Sequence, residues 1–81
     1  MNTVVVAFPL HRQQKLVSGI AHVLRSKQGD DATLFWRETA KGLLHQLTEN
    51  GVAIRSAEDQ VRSLLYAVIA EIEADAVEAR G

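Results

Sequence analysis

The chain has 81 residues, 47% of them apolar, no cysteine, and nine basic against ten acidic side chains for a net charge of −1. Eighty-one residues make one small domain and exclude a multidomain enzyme. The absence of cysteine excludes disulfides, thiolate catalysis and cysteine-ligated zinc. The near-neutral charge gives no bulk attraction to nucleic acid or to an anionic membrane.

Eleven of the 38 apolar residues are alanine, so the core of large side chains is lean. A chain of this size buries roughly 60–65% of its unfolded surface, and the gain about balances the cost of ordering the backbone. Burial in an oligomer would therefore help. Charge is unevenly spread. Residues 1–41 hold six basic and three acidic side chains (+3), and residues 42–81 hold three and seven (−4), an asymmetry suited to aligning two copies or to presenting one basic and one acidic face.

The N-terminal run Thr3 to Phe8 is rich in β-branched residues, whose stiff χ1 rotamers favour an extended backbone, and Pro9 biases Phe8 the same way. Residues 1–9 are accordingly read as an extended segment or strand. The run is too short and lacks the basic start of a secretory signal. The longest uninterrupted apolar stretch, Leu64 to Ala70, is far below the roughly 20 residues that cross a bilayer. The expectation is a cytoplasmic protein without a membrane partner.

Periodicity predicts a first helix over residues 10–27, with Leu16, Val17, Ile20, Val23 and Leu24 on one side. Gly19 within it either weakens the helix or permits a close packing contact. Gly29-Asp30-Asp31 breaks the pattern, and either aspartate is suited to cap a second helix over 32–49. That helix presents Trp36, Ala40, Leu43 and Leu47, which places the single tryptophan in the core, with Phe35 and Leu44 at the margins. Asn50-Gly51 stops it, because both residues tolerate left-handed backbone. The linker Val52-Ala53-Ile54 is apolar enough to lie against the core. Ser56 and Asp59 resemble a capping box ahead of a third helix over 57–78. There Val61, Leu65, Val68 and Ile72 keep a 4-3-4 spacing, widened by Leu64, Ile69 and Ala76. The fold class that follows is all-α, a three-helix bundle preceded by the extended segment.

Sites of chemistry are hard to assemble. His11 and His22 share a helical face but stand roughly 16 Å apart along the axis, His45 is on another helix, and none has the i,i+4 spacing of a helical metal site. Ser18, His22 and Ser26 offer a nucleophile and a base, yet no acid on that helix orients the imidazole. The acidic row Glu71, Asp75, Glu78 reads as a solvated face or as a surface for a basic partner. The five glycines fit neither a phosphate loop nor a dinucleotide fingerprint. No catalytic, cofactor-binding or metal-binding residue is assigned, and the protein is read as not an enzyme.

Two surfaces remain. The first-helix row His11, Arg12, Lys15, His22 and Arg25 is suited to an anion or a nucleic-acid phosphate, but it carries few charges and no interleaved aromatic. A ribbon-helix-helix reading fails because Val4, Val5, Val6, Ala7 and Phe8 offer no polar side chain to read bases. The second surface serves self-association. Val4, Val5, Val6 and Phe8 would pair between chains, and the small residues Ser63, Ala67, Ala70 and Ala74 would admit a second helix closely.

Val5-Val6-Ala7-Phe8-Pro9-Leu10-His11-Arg12, followed by a basic amphipathic helix and two more helices, resembles a family of short bacterial proteins of uncharacterised function with a Phe-Pro-x-x-Arg opening. The resemblance implies a small helical protein without an assigned activity. The combined reading is a non-enzymatic protein-interaction or regulatory module that forms a homodimer and has an unknown protein partner. The alternative is a weak nucleic-acid-binding protein that uses the basic face of the first helix.

Overall fold

The computed structural model describes residues 9–80, so the expected N-terminal strand and its pairing residues Val4, Val5, Val6 and Phe8 lie outside the described residues. A 3-10 turn at Leu10–Arg12 leads into α1 (Gln14–Arg25), α2 (Asp30–Glu49) and α3 (Ile54–Arg80). This is the all-α three-helix bundle expected from periodicity, and no strand occurs among the described residues. At 1.5 Å per residue the 27-residue α3 is about 40 Å long, which accounts for the 43 Å long axis of the molecule. α3 is the common platform: the 3-10 turn, α1 and α2 all pack on it, whereas α1 and α2 meet each other less extensively.

Among the described residues the core is small and wholly apolar. Val17, Ile20 and Ala21 of α1 meet Leu47 of α2 and Ala57, Leu64 and Val68 of α3, with Leu10 inserted from the 3-10 turn. Each fully buried leucine or valine contributes roughly 1.5–3 kcal/mol relative to exposure. Leu64, Val68 and Ala57 are at 0% exposure, so α3 supplies the centre of the core. Phe35, Trp36, Leu43 and Leu44 pack around it from α2, half-buried.

The first helix is not continuous over 10–27. Pro9, at φ −56°, opens a turn closed by Arg12 N–H to Pro9 O and Gln13 N–H to Leu10 O, both 3.0 Å. Gln13 then adopts extended geometry (φ −82°, ψ 94°) before α1 begins. The break is held from outside, because Leu10 is buried and its N–H donates to Gln60 Oε1 of α3 at 3.4 Å. Leu10 and Val17 are seven residues apart and share a side in a straight helix too, so periodicity does not register the break. At its other end α1 tightens, with Ser26 N–H on Val23 O and Lys27 N–H on Leu24 O at 3.1 Å, so the helix ends before Lys27.

Gly29, at φ +55°, rather than an aspartate, occupies the N-cap of α2, and no side chain caps it. Asp30 and Asp31 instead sit in the first turn, where negative charge complements the helix dipole. The Asn50-Gly51 stop is realised in full. Gly51 has φ +92°, Val52 N–H reaches Leu47 O at 3.0 Å, and Gly51 N–H reaches Thr48 O at 3.1 Å, the two bonds of a Schellman motif. Val52 then packs on the core, the hydrophobic contact that accompanies the motif. Ala53 and Ile54 do not follow it inward; Ile54 is 52% exposed.

α3 starts three residues before the expected position, with Ala57 N–H bonded to Ala53 O at 2.9 Å. Ser56 is therefore inside the helix and the capping box does not form. Asp59 pairs instead with Arg62 at 2.9 Å, one turn along.

Candidate interaction groove

Two antiparallel helices of unequal length leave a cleft wherever no third helix covers their seam. α1 covers one side of the α2–α3 seam, and the other side stays open as a groove of about 540 Å³. Its floor is apolar: Trp36, Ala40 and Leu44 from α2 face Val61 and Leu65 from α3. Trp36, Ala40 and Leu44 follow a four-residue rise on α2, and Val61 and Leu65 do so on α3, so each helix contributes one row. Charge lies at the edges. Arg37 and Lys41 flank the α2 row, Glu58 and Arg62 flank the α3 row, and Thr33 closes one end. Three cations against one carboxylate give the rim a positive balance. A second depression of about 560 Å³ shares Lys41 and Leu44 and runs on toward His45, Thr48 and Ile54.

The groove changes the reading of Trp36. The indole was expected in the core; it is half-buried, with part of it packed on the core and part lining the groove. Sequence periodicity assigns Trp36, Ala40, Leu43 and Leu47 to one row; of these Leu47 alone is fully buried, and the other three are half-buried. The signal available in the sequence was the width of the α2 and α3 stripes. Leu44 at the margin of the α2 stripe and Ile69 at that of α3 extend them beyond what one neighbour covers.

The apolar surface does not stop at the groove. Ile69, one turn beyond Leu65 on α3, is 42% exposed, and Tyr66 beside it is 63% exposed. Leu34, Ile54 and Val77 are also exposed, and Ile54 lines the second depression.

The basic row expected on the first helix is divided. His11 and Arg12 belong to the 3-10 turn, Lys15 and His22 to α1, and the extended Gln13 separates the two segments. His11, Arg12, Lys15 and His22 are exposed. Arg25 is not available as a free cation, because its guanidinium donates to the carboxylate of Asp75 on α3. That ion pair also takes Asp75 out of the acidic row. Elsewhere His45 Nε2 stands 3.0 Å from Glu49 Oε2, and Lys27 Nζ lies 5.8 Å from the Phe35 ring centre.

The small-residue row of α3 does not form one outward face. Ser63 and Ala67 are half-buried, and Ala67 packs against the core; only Ala70 and Ala74 are exposed. Gln60, Ser63 and Ala67 share the flank of α3 that receives Leu10, so the N-terminal half of the row is used within the chain.

Groups suited to chemistry are dispersed. No buried polar or charged residue and no cluster of three potential metal ligands occurs among the described residues. Ser18 and His22 are exposed, and the Ser26 hydroxyl donates to Val23 O at 2.7 Å. No helix among the described residues is long and apolar enough to cross a membrane.

The model of a family of unknown function, DUF6074, matches residues 1–81. No curated protein and no solved structure matches the chain.

Proposed function

The chain belongs to this family of unknown function, and from that premise we propose that it is a non-enzymatic protein-interaction or regulatory module whose binding surface is the α2–α3 groove. The observation that carries the reading is the pairing of an apolar floor, Trp36, Ala40, Leu44, Val61 and Leu65, with a charged rim on a chain whose buried residues are all apolar among those described. Such a groove takes an amphipathic helix: apolar anchors fill the floor and the rim sets orientation. The proposed setting is a bacterial cytoplasm, and the proposed working form is a homodimer. The +3 and −4 halves of the chain support self-association.

The test compares capture from native extract by immobilised wild-type protein and by a rim-reversed variant, Arg37→Glu with Lys41→Glu. Both positions are exposed, so the fold should persist, as circular dichroism would check. The reading expects at least one protein, this chain included, to be retained by the wild type and lost by the variant. Identical capture by both would overturn it.

A second reading, weak nucleic-acid binding, rests on the exposed His11, Arg12, Lys15 and His22. It is weakened by Arg25, whose charge is already committed to Asp75. Retention on DNA that falls steeply with salt would favour it.

A further inference from the structure

We propose that the groove is one wall of an isologous interface, in which a second copy of this chain lays its α3 antiparallel across the first. The inference rests on the interaction-module reading and names the occupant of that surface.

The argument begins with spacing on α3. Arg62, Leu65, Ile69 and Glu73 are separated by three, four and four residues, which puts them on one face. Arg62 and Leu65 line the groove; Ile69 and Tyr66 continue the same face into solvent at 42% and 63% exposure. Glu73 is exposed at the far end of that row. The face therefore reads, along the helix, as a cation, an apolar stretch and an anion.

A two-fold axis makes every contact reciprocal: where one residue meets a second on the partner, the second meets the partner's copy of the first. The midpoint between Arg62 and Glu73 is also the midpoint between Tyr66 and Ile69, and between Leu65 and Ala70. An antiparallel crossing about that point sets Arg62 against the partner's Glu73, and Tyr66 against the partner's Ile69. Ala70, small and exposed, faces the partner's Leu65, so the bulk of one copy meets space on the other. Every pairing occurs twice. Tyr66 and Ile69, two exposed large apolar side chains that adjoin the groove, become the centre of the contact.

Charge selects this occupant over an unrelated helix. In the proposed pairing the partner's Glu73 comes to Arg62, on a rim that also carries Arg37 and Lys41. Among the described residues Arg62 pairs with the exposed Asp59, with side-chain exposures of 58% and 72%, a pair worth little on its own. The cation, apolar, anion order is self-complementary only when the second helix runs antiparallel, and this chain supplies such a helix.

Sedimentation equilibrium of the full chain over a wide concentration range, with circular dichroism of each variant, is the test. The wild type is expected to be a reversible dimer. Ile69→Lys, at an exposed position, should weaken it by tenfold or more while leaving helicity unchanged. Arg62→Glu and Glu73→Arg should each weaken it by about tenfold, and an equimolar mixture of these two variants should recover wild-type affinity, since the mixed dimer then holds one native and one reversed pair, both matched. A monomer at the highest concentration overturns the proposal, and so does a dimer indifferent to all three substitutions. A monomer that nevertheless retains a foreign protein through Arg37 and Lys41 overturns the self-pairing alone and leaves the interaction-module reading standing.

Discussion

Arg25, in the last turn of α1, donates a charge-assisted hydrogen bond to Asp75 on α3, fifty residues further along the chain. The pair ties the C-terminal end of α1 to the C-terminal part of α3. Both side chains remain about two-fifths exposed, at 39% and 41%, so solvent screens much of the attraction. A double-mutant cycle of Arg25→Ala and Asp75→Asn should give a coupling of about 0.5 kcal/mol, well under that of a buried pair, and it should shrink in 1 M salt.

The core rests on α3. Leu64→Ala removes a side chain at 0% exposure and should cost about 2–5 kcal/mol in chemical denaturation. For a domain this small that is a large share of total stability. Trp36→Ala is expected to cost less than Leu64→Ala, although tryptophan is much the larger side chain, because part of the indole already faces the groove. Equal or reversed costs would place the indole deeper than its half-burial indicates.

Glycines separate by backbone conformation. Gly42 lies inside α2, exposed, with nothing within 4 Å of where a Cβ would stand. Gly42→Ala should raise stability by roughly 0.5–1 kcal/mol through helix propensity alone. Gly19 in α1 meets the same conditions, so the alternative of a close packing contact there is set aside. Gly51 has equal space but φ +92°, and Gly51→Ala should destabilise by roughly 1–2 kcal/mol because a Cβ strains that conformation. Thermal melts of the three variants would show opposite signs at equal side-chain volume.

The 3-10 turn depends on one buried side chain and one backbone donor. Leu10→Ala should cost about 2–4 kcal/mol, and amide exchange at residues 10–13 should quicken more than in the middle of α3. Gln60→Leu keeps the volume but removes the acceptor for the Leu10 N–H, and should cost about 0.5–1.5 kcal/mol. If exchange at the turn were unchanged in both variants, the turn would be held by its own 3-10 bonds and not by α3.

Metal content follows from the dispersal of the histidines over the turn, α1 and α2. Elemental analysis of dialysed protein is expected to find no stoichiometric zinc, nickel or iron.

Local chemistry in the sequence was enough for the helix count, the antiparallel order and the Asn50-Gly51 stop. Apolar spacing and a left-handed glycine act over a few residues, whatever the rest of the chain does. The stripe on α3 likewise identified Leu64, Val68 and Val61 as inward-facing before any neighbour was known. Tertiary structure decided what depends on the neighbours. The break at Gln13 exists because α3 holds Leu10; the half-burial of Trp36 exists because no third helix covers that side of the α2–α3 seam. Ser63 and Ala67 are occupied within the chain because the N-terminal turn lies on their flank, and Arg25 is withdrawn from the basic row because Asp75 comes within reach only after folding. Periodicity states which side of a helix is apolar, but how much of that side is covered is set by the lengths and positions of the other helices, and the groove is the part they leave open.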